Sequence, residues 1–184
     1  EYVQRLPTGL VRLSDKSVIK DPDQQIQHVI GLVLSKFEEF GSAFQVLRYC
    51  KQREILLPRR HGNGVGPDNV RWRRPSEATI SAILTNPAYA GAFVHGRRTS
   101  DPQRQSPGRR TPVMVRRPME EWQCLIQDAY PAYISWTQYL ANQARLSDNT
   151  PRYMESTDKG RGAPREGAAL LQGLVTCGLC GHRM

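Results

Sequence analysis

SEATISAILTNPAYAGAFVHGRR, residues 76–98, decides how this chain is read. Ser76 is a good N-cap and Glu77 favours the positive end of a helix, so a short helix starts here. Ile80, Ile83 and Leu84 form its apolar stripe, and Asn86-Pro87 stops it. Ala88 to Gly91 then makes a corner of small residues around Tyr89. Phe93-Val94 returns to the core, and Arg97 and Arg98 follow. The pattern predicts a helix, a tight corner and a strand that aims paired arginines outward.

Upstream lie two longer helical patterns. Asp21 as cap and Pro22 at the first helical position predict a helix of about 19 residues ending at Gly41. Ile26, Val29, Ile30, Val33, Leu34, Phe37 and Phe40 give it one wide apolar face. Ser42 caps the next, where Ala43, Val46, Leu47 and Cys50 recur at helical spacing, ending before Pro58. Residues 1–20 alternate weakly around Pro7 and Gly9 and predict short strands or extended chain.

Between the second and third helices, RRHGNGVGPDNVRWRRP at 59–75 reads as a flexible basic loop. Its glycines lack the order of a phosphate-cradling G-x-x-x-x-G-K-[ST], which excludes a P-loop. After the third helix, AGAFVHGRR and TPVMVRRP read as strands flanking a polar loop at 99–111, and WQCLIQ as a third strand. Ser135 caps a fourth helix carrying Trp136, Tyr139, Leu140, Gln143 and Leu146. Residues 147–167 have the composition of a linker. The expected class is therefore α+β: a helical core, a small antiparallel sheet, a linker and a short C-terminal element.

Charge is concentrated in the middle of the chain. The net charge is +9, with a pI of about 9.8. Residues 48–117 carry 15 Lys/Arg against four Asp/Glu, and 14 of the 15 are arginine. Residues 1–47 and 118–184 each come to −1. The planar guanidinium suits phosphates and guanine edges, so this distribution points to a nucleic-acid partner rather than a solubilising surface. Arg59, Arg60, Arg71, Arg73, Arg74, Arg97 and Arg98 are the phosphate candidates. Trp72 among them either stacks on a base or anchors the loop. His61 and His95 have no second ligand at metal spacing and read as polar contacts.

The mean hydropathy of −0.56 and the lack of a long apolar run speak against a membrane-spanning helix. Cys50 and Cys124 sit singly among apolar residues, as buried thiols do. Cys177 and Cys180 form C-x-x-C in LVTCGLCGHRM, half of a zinc ribbon, since tetrahedral zinc needs four ligands. This cysteine usage fits a reducing cytoplasm better than a secreted disulfide framework. The sequence begins without Met and stops just after the cysteine pair, so the expectation is an internal piece of a longer protein. No G-x-S-x-G elbow, H-E-x-x-H or tight carboxylate cluster occurs, and the expected function is binding, not catalysis.

Helices 43–53 and 76–84 have the order of a helix-turn-helix, but about 22 residues separate them where three or four are usual. Two arrangements stay open: a groove-entering second helix behind an elaborated turn, or an ordinary helical core.

Taken together, these stretches resemble a known family. LPTGL, then EEFGSAFQVLRYCKQREILLPRR, then W…SEATISAILTNPAYAGAFVHGRR, and finally LLQGLVTCGLCGHRM are similar, in that order, to the C-terminal part of large serine recombinases of the phage-integrase and transposon-resolvase type. The resemblance implies a recombinase domain at 1–146, a linker at 147–167 and the start of a zinc ribbon at 168–184. It implies duplex DNA at attachment sites as the partner, read by the helix from Ser76, with Thr79 and Ser81, and by the flanking arginines. It implies a structural role for Tyr89 and Gly91. In the intact protein Cys177 and Cys180 would be zinc ligands, and a catalytic serine domain in the same chain would carry out site-specific integration or excision as a homo-oligomer, cytoplasmic and nucleoid-associated, bacterial or phage-encoded. Rival classes remain: an RNA or single-strand binder using Trp72, or a basic module that meets an acidic protein.

Overall fold

The computed structural model of the chain describes residues 5–60, 70–101, 112–149 and 177–179. An N-terminal hairpin pairs β1 (Leu10–Arg12) with β2 (Val18–Lys20). Helix α1 then spans Gln24–Phe40, two residues later than expected. Asp21 is not its cap: it is buried, and its side chain accepts the Asp23 N–H at 3.1 Å. That local turn delays the helix, and Asp23 caps it by accepting from Gln25 N–H at 2.8 Å. Ile26, Val29, Ile30, Val33, Leu34 and Phe37 are buried along one face, the periodic stripe of the sequence. Each such side chain contributes about 1.5–3 kcal/mol when fully buried.

Helix α2 (Ala43–Gln52) and helix α3 (Glu77–Leu84) pack on each other and on α1. Their buried Val46, Leu47, Cys50, Ile80, Ile83 and Leu84 complete one core with α1. The basic stretch between them is not a plain loop. Strands β3 (Leu57–Arg60) and β4 (Val70–Arg73) pair antiparallel, Leu57 opposite Arg73 and Arg60 opposite Val70. Leu57 and Val70 dock the hairpin on the helical core. Residues 61–69, which include His61 and all three glycines of the basic stretch, lie outside the described residues.

A 3-10 turn at Pro87–Ala90 follows α3, capped by Asn86, whose side chain accepts from Ala88 N–H at 3.1 Å. Tyr89 is buried at its centre. Its hydroxyl donates to the Thr8 carbonyl at 2.7 Å, and its own carbonyl accepts from Tyr133 and Ile134 N–H. The Tyr89 and Tyr133 rings meet edge-on at 5.6 Å. Gly91 ends the turn at φ +79°, and a Cβ there would lie 2.9 Å from the Tyr130 carbonyl oxygen, so only glycine fits.

The following strands build a ribbon of two nested, separate antiparallel pairs. β5 (Phe93–His95) pairs with β8 (Cys124–Ile126), and β6 (Arg98–Ser100) pairs with β7 (Met114–Arg116) inside it. The return strand carries an insertion at 117–123 with a 3-10 turn at Met119–Glu121. Opposite it, Gly96 at φ +81° lets the chain pass within contact of Gln123. Helix α4 (Trp136–Asp148), capped by Ser135, crosses back over α3 and continues two residues past the expected start of the linker. Residues 150–176 lie outside the described residues. The fold is thus α+β, with four α-helices and small antiparallel sheets among the described residues. Among the described residues no helix is long and apolar enough to cross a membrane.

Candidate nucleic-acid interface

Helix α3 turns its apolar stripe, with Thr79, into the core and leaves small residues outside. Ala78 and Ala82 are exposed, and Ser81 and Thr85 are half-buried. Past Glu77, which is exposed in the first turn, the outer face carries no long side chain to hold another molecule away. Its ends are fixed. At the start, Ser76 accepts from Thr79 N–H at 3.3 Å, and the two hydroxyls share a hydrogen bond of 2.8 Å. At the end, Gln143 of α4 donates to the Leu84 carbonyl at 2.9 Å. The Arg97 guanidinium and the Tyr139 hydroxyl both donate to the Thr85 carbonyl, at 2.7 and 3.3 Å. The last carbonyls of a helix need partners, and a cation there also opposes the negative end of the dipole.

A groove runs along each side of this outer face. One, about 350 Å³, lies between α3 and the β3 strand and is lined by Arg5, Arg59, Arg60, Ala78 and Ala82. The other, about 670 Å³, lies between α3 and the ribbon and is lined by Ala82, His95, Arg97, Arg98, Arg116 and Arg117. Ala82 and Asn86 border both.

The arginines divide by role. Arg59 and Arg71 are exposed and stand directly opposite each other across β3 and β4. Arg73, two residues from Arg71, shares their side of the strand and is exposed, as is Arg74 beyond it. In the ribbon, Arg98 and Arg116 are again exposed and directly opposite. Like charges facing each other across a sheet are destabilising by themselves. Among the described residues, none of these six is in an ion pair with a carboxylate.

Two other arginines serve the fold. Arg60 is half-buried and donates to the Leu6 and Leu10 carbonyls at 3.3 and 3.1 Å, tying β3 to the N-terminal segment. Arg97 is half-buried over the Trp122 ring at 5.6 Å. Burial lowers its affinity for the proton relative to an exposed guanidinium, and the nearby Arg116 and Arg98 charges act in the same direction. Trp72 is half-buried, packed against the helical core and opposite Pro58, as an anchor would be.

Sequence reasoning did not single out Arg5, Arg116 or Arg117. The alternation of Met114 and Arg116 with Val115 was a signal for one face, but register with Arg98 depends on the loop between them. Cys50 is buried, and that burial pushes its thiol up; Cys124 is half-buried on β8. Cys177 opens a turn whose Leu179 carbonyl accepts from Gln45 of α2 at 2.8 Å. Cys180 lies outside the described residues, so a zinc site can be judged only on Cys177.

The chain belongs to the Recombinase family, whose model matches residues 24–149. It is 42% identical over 185 residues to an uncharacterized protein of Sinorhizobium fredii (strain NBRC 101917 / NGR234), y4bA/y4pH, the match covering 100% of this chain and 26% of that protein. The chain thus spans about a quarter of the length of the curated relative it matches. Among solved structures it is similar at 16% identity to one described as "Crystal Structure of a LSR-DNA Complex", with a TM-score of 0.47, covering 100% of this chain and 43% of that one. A second, "Sequence Requirements of the Listeria innocua prophage attP site", matches at 16% identity and a TM-score of 0.44, covering 96% and 53%.

Proposed function

We propose that this chain is the DNA-reading, C-terminal part of a large serine recombinase, binding duplex DNA at attachment sites for integration or excision. The observation that carries the reading is the small-residue face of α3, bordered on both sides by arginine-lined grooves. Past Glu77 that face carries only small side chains and can approach base edges in the major groove, while guanidinium groups on either side meet the two backbones. Membership of the Recombinase family supports the same assignment.

In this reading residues 1–146 form the DNA-binding unit and 168–184 begin a zinc ribbon. Ser81, with Ala78 and Ala82, offers the base-facing surface. Arg59, Arg71, Arg73, Arg74 and Arg98 meet phosphates. Arg60, Arg97, Ser76 and Thr79 hold the reading elements in place. Cys177 and Cys180 would hold zinc in the intact protein, where the ion would add folding energy to the ribbon. A catalytic serine domain elsewhere in the protein would cut and rejoin DNA, and the recombinase would act as a homo-oligomer in the cytoplasm. A single-strand or RNA binder is less well supported, because Trp72 is held against the core rather than offered for stacking.

The test is selection from a library of random duplexes at moderate salt, followed by titration. Enrichment of one motif, bound tighter than random duplex and with log K falling by roughly 0.9 per decade of salt for each phosphate met, is the expected result. Equal affinity for selected and random duplexes would refute sequence reading. Preference for single strands over duplex would refute the assignment altogether.

A further inference from the structure

The larger groove holds four arginines, and they are not equivalent. Two are bonded inward: Arg97 to the Thr85 carbonyl at 2.7 Å and Arg117 to the Thr99 hydroxyl at 3.0 Å. Trp122 closes the floor, its indole N–H donating to the Arg117 carbonyl at 3.2 Å while its ring lies under Arg97. The other two, Arg98 and Arg116, are exposed and paired across β6 and β7. Directly opposite residues in an antiparallel pair have Cα atoms about 4.5–5.5 Å apart, so the register brings two cations to neighbouring positions at the rim of the pocket. Nothing among the described residues neutralises them. An oxyanion seated between two guanidinium forks removes that repulsion and gains charge-assisted hydrogen bonds.

We infer that the Arg98–Arg116 pair is a clamp for backbone phosphates of one DNA strand, seated on the Arg97–Trp122 floor beside the reading helix. This rests on the duplex-binding reading above and adds to it Arg116, a ligand on the return strand of the ribbon. Arg97 and Arg117 are positioning residues in this scheme. They hold the ribbon against α3 and do not touch the phosphate.

The experiment compares the unaltered chain with R98A/R116A and R98K/R116K on a fluorescein-labelled duplex, by anisotropy across a salt series, with a thermal melt of each protein. The alanine pair is expected to melt like the parent. Its slope of log K against log salt should be shallower by about 1.8, and its binding about 30-fold weaker near 0.15 M salt, the size expected for two lost phosphate contacts. The lysine pair should recover most of the slope, since a point charge still meets a phosphate. An alanine pair with the parental slope would overturn the clamp. So would weaker binding with an unchanged slope, which marks a contact to bases instead. Failure of the parent protein to bind any duplex would overturn the functional reading itself, a result distinct from either.

Discussion

Adjacent residues Arg97 and Arg98 look interchangeable in the sequence, yet the structure assigns them opposite consequences when replaced. Arg97→Ala removes a charged donor from the Thr85 carbonyl at the end of α3 and a cation from the Trp122 face. A hydrogen bond to a charged group is worth about 1.5–3 kcal/mol, and a cation at a helix C-terminus about 0.3–1 kcal/mol. The Tyr139 hydroxyl still reaches the same carbonyl at 3.3 Å and limits the loss. The expected cost is about 2 kcal/mol, or roughly 4–8 °C in melting temperature for a chain of this size. Arg98→Ala breaks no described contact and should change stability by less than about 0.5 kcal/mol. It should weaken duplex binding and flatten the salt slope by about 0.9. Urea unfolding followed by circular dichroism, run beside a binding titration, separates the two. Parental stability in Arg97→Ala together with destabilisation in Arg98→Ala would refute this division of roles.

Other perturbations test the scaffold. Ile83→Ala, at a buried position on the inner face of α3, should cost about 2–5 kcal/mol in urea denaturation. Gly91→Ala forces an L side chain to φ +79° and against the Tyr130 carbonyl, so it should lower the melting temperature and cost about 1–3 kcal/mol or more. Tyr133, whose hydroxyl donates to the Gly9 carbonyl, has its phenol pushed up to about 12, chiefly by burial and then by the Asp21 charge. Because the folded protein holds this proton more tightly than the unfolded chain, whose ordinary tyrosine value is 10.0, the contribution of Tyr133 to stability should be constant below about pH 10 and fall as pH rises toward 12. Urea midpoints across that range check it, and Tyr133→Phe should make the decline shallower.

The helices were legible because each carries a long apolar period and a capping residue. Helix α1 started late for a local reason, since Asp21 made a turn with Asp23 before any helix could begin. The β3–β4 hairpin was not legible. Its first strand ends in adjacent arginines, its second alternates them, and the three glycines between the strands read as loop. What makes LPRR and VRWR strands is the docking of Leu57 and Val70 on the helices, a tertiary effect. The candidate surface was half legible. Composition pointed to arginine, but which guanidinium faces solvent depends on partners far away in sequence. Arg60 reaches Leu6 and Leu10, and Arg97 reaches back to Thr85. Arg116 could not be matched to Arg98 without knowing the register.

Past Glu77, the outward strip of α3 carries only small side chains, and the residues that keep it in place lie elsewhere. Ala78, Ser81 and Ala82 make no core contact that their replacement would break, while Ile80, Ile83 and Leu84 anchor the opposite side. In the proposed function, recognition and folding would therefore be written in different positions of the same eight residues. Exchanging the outer three would, in that function, change the sequence read without rebuilding the body that carries them.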